Sequence, residues 1–290
     1  MQSIGKTIGL CTDSSAQLPL DLVDRFRVAV VPATVRAGDR EYLEGVDLTA
    51  DEFYDLVASG VVVSTAEPSA GQFAVAYDDL IAQGCTEILS IHIASSISGT
   101  VSAARLAAHR AEVPVRIIDT GTTSVGVACC VWAAAEALAA GASAEEATVC
   151  AESVAPQVGH VFVADPTRWC TDQRPPLDPG PDPAGPVPVL GGHDGTLEVV
   201  AWVRDSSDAI AVMVAEVAAF GSGLRVGVGM ADRVMAEVAD GLEAALRHHH
   251  AVDEVVRYRI GPSAGTQVGP RTVGCFMLPR APAPSTRAAN

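Results

Sequence analysis

The stretch Ile91-His92-Ile93-Ala94-Ser95-Ser96-Ile97-Ser98-Gly99-Thr100 decides the fold. The run Glu87 to Ile93 reads as a buried strand. Three serines and a glycine follow it, and the alanine-rich segment Ser98 to Arg110 reads as a helix. A strand that feeds a helix through a short polar loop is the building unit of a parallel sheet, whose strands need long crossovers. The start of such a helix presents unpaired N–H groups and the positive end of its dipole, and serine hydroxyls add donors. The loop therefore reads as a site for an anionic oxygen, with Ser95, Ser96, Ser98, Gly99 and Thr100 as candidates. The plainer reading is an N-cap, which needs one serine rather than three.

The same alternation continues on both sides. Upstream, Lys6 to Cys11 reads as a strand, Thr12 to Ser15 as a turn, Pro19 to Phe26 as a helix and Arg27 to Ala33 as a strand. Thr49 with Glu52, and Ser143 with Glu146, have the capping-box spacing that starts a helix. Ala70 to Gln83 is periodic as a helix, Val113 to Ile118 as a strand, and Ser124 to Ala140 as a long alanine-rich helix. Strands alternating with helices of this length predict an α/β fold with a parallel sheet. Ligands of such folds bind at the carboxyl ends of the strands. That places Asp13 and Ser14, in the turn after the first strand, among the candidates, although Asp and Ser also serve there as cap and turn residues. Thr65 follows the short strand-like run Val61 to Val63 and precedes the helix from Ala70.

Beyond residue 155 the pattern changes. Val158 to Ala164, Leu197 to Val203, Leu224 to Met230, Val252 to Ile260 and Thr272 to Leu278 read as strands, and Ser207 to Phe220 and Ala231 to Arg247 as helices. Pro166 to Pro188 is dense in proline, which disfavours regular structure. The change predicts an N-terminal α/β domain over 1–157, a second α/β domain over 158–280 and a disordered Ala/Pro/Ser-rich tail over 281–290.

The composition narrows the function. The 290 residues carry 19 Lys+Arg against 35 Asp+Glu, a formal charge of −16, which argues against nucleic acid and anionic membranes as partners. No uninterrupted apolar run reaches the ~18 residues of a membrane span, and the first residues lack a signal-peptide pattern, so a soluble cytoplasmic protein is expected. Seven cysteines without a CxxC pair read as buried reduced thiols. His248-His249-His250 are consecutive, whereas metal ligands on one helix face need i, i+3 or i+4 spacing. No nucleotide-loop, dinucleotide, zinc-protease or nucleophile-elbow motif is present. Neither a metal nor a cofactor is expected.

Five short motifs in order resemble those of the DegV family of fatty-acid-binding proteins, which includes the B subunits of bacterial fatty acid kinase. They are Thr12-Asp13-Ser14, Thr65-Ala66-Glu67-Pro68-Ser69 (against a TSQPS pattern), Ser95 to Thr100 (against SSxLSGT), Asp119, and Gly265-Thr266-Gln267-Val268-Gly269-Pro270 (against GT-His-x-GPG). The resemblance implies a two-domain α/β fold with a long-chain fatty acid in a tunnel between the domains, its carboxylate held by Thr65 and Ser98. It implies a non-catalytic carrier, which presents its cargo to a partner fatty acid kinase. One helix and one strand separate Thr65 from Ser98, which predicts both on the same sheet edge. The chain departs from the pattern where Gln267 replaces histidine and Arg271 the last glycine. It departs again in Trp169-Cys170-Thr171-Asp172-Gln173-Arg174, where a Gly-Gly-Arg segment is expected. Gln267 can bond a carboxyl group but carries no charge, and Arg271 could supply a replacement charge near the head group. Two alternatives remain open at this point. One is an enzyme acting on a small anionic substrate at Ser95 and Ser98; the other is an interaction or regulatory module that binds no lipid.

Overall fold

The computed structural model describes residues 7–163, 186–193 and 197–279. Four parallel strands form the first sheet in the order β2-β1-β6-β7, with β1 Ile8–Asp13, β2 Ala29–Val31, β6 Glu87–His92 and β7 Val115–Asp119. Every residue of β6 is buried, as expected of a central strand covered on both faces. Helices α3 (Ala70–Ala82) and α4 (Thr100–Ala108) cover one face, packing on Cys11, Val31 and Ile88. Helices α1 (Leu20–Phe26), α5 (Val125–Ala139) and α6 (Ala144–Val154) lie on the other, against Leu10, Leu89 and Ile91.

A six-stranded sheet follows in the order β10-β9-β8-β13-β11-β12. Its strands are β8 Gly159–Val163, β9 Val187–His193, β10 Glu198–Val203, β11 Leu224–Met230, β12 Val252–Arg259 and β13 Val273–Pro279. Only β11 and β12 run parallel. Helices α7 (Ser206–Phe220) and α8 (Ala236–Arg247) cover its outer face, on Val226, Val228, Val273, Cys275 and Met277. Phe276 and Leu278, one step along the pleat, turn to the inner face and share a core with α5. Helix α5 is thus sandwiched between the two sheets and is buried nearly all round, which is why its sequence is apolar on every side. Its one acid, Glu136, meets buried Arg225 of β11 at 2.6 Å, and Arg225 lies over the Trp132 ring at 4.8 Å.

The inner face of the second sheet is open because of its glycines. Gly227 and Gly229 of β11 turn inward, and the rings of Phe276 and Tyr258 lie across them where a Cβ would stand. These aromatic rings therefore lie flat on the sheet, and room remains above them.

A third, small sheet in the order β4-β3-β5 was not expected. It comprises β3 Thr34–Ala37, β4 Arg40–Leu43 and β5 Val63–Ala66, all antiparallel. It packs with α2 (Ala50–Ala58) and α9 (Pro262–Val268) around Val35, Phe53, Tyr54 and Ile260. Two further corrections concern the proline-rich segment and the expected helix from Ala231. Regular structure resumes at Val187 inside the segment, with Pro188 paired opposite Trp202 of β10 next to the sheet's edge. A short 3-10 turn, Arg233–Met235, precedes α8, which starts only at Ala236. The expected disordered tail and Trp169 to Arg174 lie outside the described residues.

Candidate functional site

The site begins at the carboxyl end of β1. Asp13 closes the strand and caps a 3-10 turn, Ser14–Ala16. Its carboxylate accepts from the Ser15 N–H at 3.1 Å, from the Ser15 hydroxyl, and from His92 Nδ1 at 2.8 Å. The chain continues inward: Nε2 of His92 is 2.6 Å from Ser90 Oγ, which is 2.8 Å from the Tyr77 hydroxyl. Ser90, His92 and Asp13 have the order of a hydrolytic triad, but all three are sealed, at 0–1% exposure. The arrangement is a satisfied polar spine that fixes Ser15.

Ser14 donates to Glu44 at 2.6 Å and accepts from the Ala33 N–H at 2.9 Å. Glu44 is itself buried and accepts from the Ser263 N–H at 2.9 Å and from the Ser263 hydroxyl. Gln17 accepts from the Gly261 N–H, and the Tyr54 hydroxyl donates to the Ile260 carbonyl at 2.9 Å. These bonds tie the start of α9 to the first half of the chain.

Between the two sheets lies a cavity of about 430 Å3, within the usual range of ligand pockets, ~300–1,000 Å3. Its walls come from both halves. Ser15, Ile93 and the loop Thr122 to Gly126 belong to the first; His160, Phe162, Tyr258, Ser263, Gln267 and Phe276 are among those of the second. Its lining is mostly apolar, its polar groups are mainly hydroxyls and one amide, and no Lys or Arg is among its described lining residues. Burial, then His193, holds His160 below the ordinary imidazole value, so it is neutral near pH 7. Burial likewise pushes the Tyr258 phenol up and the Cys275 thiol up to about 12.

The expected head-group residues divide between this cavity and a neighbouring loop cluster. Gln267 lines the cavity, exposed at its rim. Asp13 and Ser14 stand behind Ser15 and do not line it. Thr65 and Ser98 are not among its lining residues either. Thr65 lies on β5, paired with Val35, in the small antiparallel sheet. The expectation of one shared sheet edge with Ser98 therefore fails, because β5 never joins the parallel sheet. The two loops still meet, since the Glu67 carboxylate lies where a Gly99 Cβ would be, at 2.7 Å. In the serine loop, Ser98 Oγ bonds Thr100 Oγ1 at 2.8 Å, and the Ser95 N–H donates to Asp119 at 3.1 Å. Ser95 and Ser96 are exposed. Asp119 is pulled up by desolvation but held lower overall by the Ser95 and Gly121 N–H groups and the Ser95 side chain. Arg271 is exposed on the turn before β13. Sequence reasoning missed Ser263, Tyr258, His160 and the Thr122 to Ser124 hydroxyls. A signal for the last existed, because Thr120-Gly121-Thr122-Thr123-Ser124 is a polar loop at the carboxyl end of β7.

This architecture, an α/β molecule with a cavity between a parallel and a mixed sheet, matches that of known proteins. The profile described as "Uncharacterised protein, DegV family" matches residues 7–168 and 187–280, and the chain belongs to the DegV family. A DegV domain-containing protein of Streptomyces coelicolor, SCO2569, is 34% identical over 162 residues, 56% of this chain and 58% of that protein. The match thus spans little more than half of that relative's length. The DegV domain-containing protein TTE1491 of Caldanaerobacter subterraneus subsp. tengcongensis is 27% identical over 93% of this chain and 98% of its own. Among solved structures, "Fatty Acid Binding of a DegV family Protein from Thermus thermophilus" superposes with a TM-score of 0.81 at 26% identity, over 94% of this chain and 100% of that one. DegV of Bacillus subtilis shares the fold at a TM-score of 0.77 and 23% identity, over 95% of this chain and 100% of that one.

Proposed function

We propose that this protein binds a long-chain fatty acid in the cavity between its sheets. The observation that carries the reading is the mainly apolar cavity walled by both halves of the chain. The Thermus relative, described as a fatty-acid-binding DegV protein, supports it. In this reading the chain divides into two domains near residues 155–159. The alkyl tail lies against Val125, Val158, Phe162 and Phe276, and the carboxyl end points to the hydroxyl-lined end beside Ser15, Ser263 and Gln267. The Thr65 and Ser98 loops close that end from outside, since α9, which carries Gln267, packs on β5. The role is carriage in the cytoplasm, with the carboxyl group presented to a partner kinase. Gln267 takes the place of the histidine of the family pattern, and Arg271 supplies the cation that Gln267 lacks.

Methylene burial is worth ~0.8 kcal/mol each, against several kcal/mol lost on association. Affinity should therefore climb steeply with chain length, about fourfold per methylene, until the cavity is full. A titration of saturated acids of increasing length tests this. Ala264→Phe, which adds a ring to the cavity wall, should weaken a long acid at least about tenfold while the circular dichroism spectrum is kept. Equal affinity for short and long acids would defeat the proposal.

A further inference from the structure

The polar groups of the cavity do not all stand at one end. His160 of β8 lines it well away from α9, and the strand register gives the separation. His160 pairs with Phe276 of β13, whereas Thr272, just before that strand, bonds the Val268 carbonyl at the end of α9. The extended chain from Thr272 to Phe276 spans roughly 13 Å. His160 therefore lies beside the tail of an acyl chain whose carboxyl group sits near Gln267.

The His160 ring is half-buried on the inner face of the sheet, 6.0 Å from the Phe162 ring. On its other side the paired residue of β9 is Gly192, which has no side chain to cover it. Among the described residues the ring makes no hydrogen bond, and neither nitrogen is sealed off. Burial holds it neutral near pH 7, so it has one N–H to give and one lone pair to receive. A plain alkyl chain covers such a group without offering it a partner, which is costly. The Tyr258 hydroxyl also lacks a described hydrogen-bond partner. It lies over Gly229, on the strand that leads through Ile260 into α9, and so belongs to the carboxyl end.

We propose that this cavity selects an acyl chain bearing a hydroxyl group remote from its carboxyl end, and that His160 is the residue that reads it. The inference rests on the fatty-acid reading and names the class of chain. The chain hydroxyl donates to the bare ring nitrogen of His160 or accepts from its N–H, whichever faces it. Nearer the carboxyl end the same hydroxyl meets Val125, Phe162 or Phe276 and loses water without gaining a partner.

The test is calorimetric titration of the full chain with palmitic acid and with monohydroxypalmitic acids in which the hydroxyl moves stepwise along the chain. An isomer substituted in the half remote from the carboxyl group should bind at least as tightly as palmitic acid. Isomers substituted nearer the carboxyl group should bind about tenfold or more weakly. His160→Phe should weaken the favoured isomer about tenfold relative to palmitic acid, and His160→Gln, which keeps a donor and an acceptor, should retain part of the preference. The positional series on the unaltered chain decides the matter even if a variant fails to fold. A series with no favoured position, a favoured position next to the carboxyl group, or a preference that survives His160→Phe would overturn the inference and leave fatty-acid binding intact. Failure of palmitic acid and every isomer to bind would remove the fatty-acid reading itself, and the inference with it.

Discussion

At the scale of single residues, the readable and the unreadable sit side by side. Gly227-Val228-Gly229 fits no phosphate loop, and its sequence offers nothing more. The structure gives the reason for it: the valine faces the outer core, and both glycines lie under rings that floor the cavity. Gly229→Val should displace the Tyr258 ring, cost about 1–3 kcal/mol in urea unfolding and weaken acid binding. An unchanged midpoint would contradict that packing. Asp13 is the opposite case. Its place at the end of the first strand is visible in the sequence, yet its partner, His92, is remote along the chain, and only the pairing of β1 with β6 brings the two strands together. Asp13→Ala leaves the His92 ring and Ser15 without their acceptor and should cost about 1–3 kcal/mol, read as a lowered urea midpoint.

At the scale of elements, helices announced by caps were found where expected. Thr49 with Glu52 and Ser143 with Glu146 form full capping boxes. What escaped had weak or conflicting local signals. The β3–β4 hairpin turns on Gly38-Asp39, a usable cue, but its strands are only four residues long. Strand β9 is disguised by Pro188 and by Gly191-Gly192. Helix α9 has seven residues and an internal glycine, too short for periodicity to register. It is held instead by tertiary bonds, chiefly through Glu44. Glu44→Ala should therefore act locally, raising amide hydrogen exchange across α9 about tenfold or more while β6 stays protected. Uniform loosening of the whole chain would show that α9 is not separately anchored. Arg225 ties α5 to the second sheet, and Arg225→Leu should cost about 2–3 kcal/mol by leaving Glu136 without its main partner, measurable as a lower thermal midpoint.

At the scale of the whole molecule, the alternation of strands and helices was enough to read the parallel sheet and the existence of a second sheet-rich region. The strand order of that second sheet was not readable, because the last strand, β13, inserts between β8 and β11, far from β8 in sequence. The interior has one further consequence. Burial pushes the thiols of Cys11, Cys130 and Cys275 from 9.0 up to about 12, and lifts Cys129 well above its ordinary value. A group raised by folding contributes stability that is full below its unfolded value and is lost as pH rises towards its folded one. Stability should hold to about pH 9 and then fall, by up to ~1.4 kcal/mol per pH unit for each such thiol. Urea titrations at about pH 8 and about pH 10.5 check the fall, and Cys11→Ala should flatten it.

The cavity between the sheets, and the claim that it holds one acyl chain, is met most directly by native mass spectrometry of the full chain after incubation with palmitic acid and removal of the excess. The account predicts one bound acid per chain, and a bound fraction sharply reduced in Ala264→Phe. A chain that takes up no acid, or one that takes up several without regard to that substitution, would contradict it.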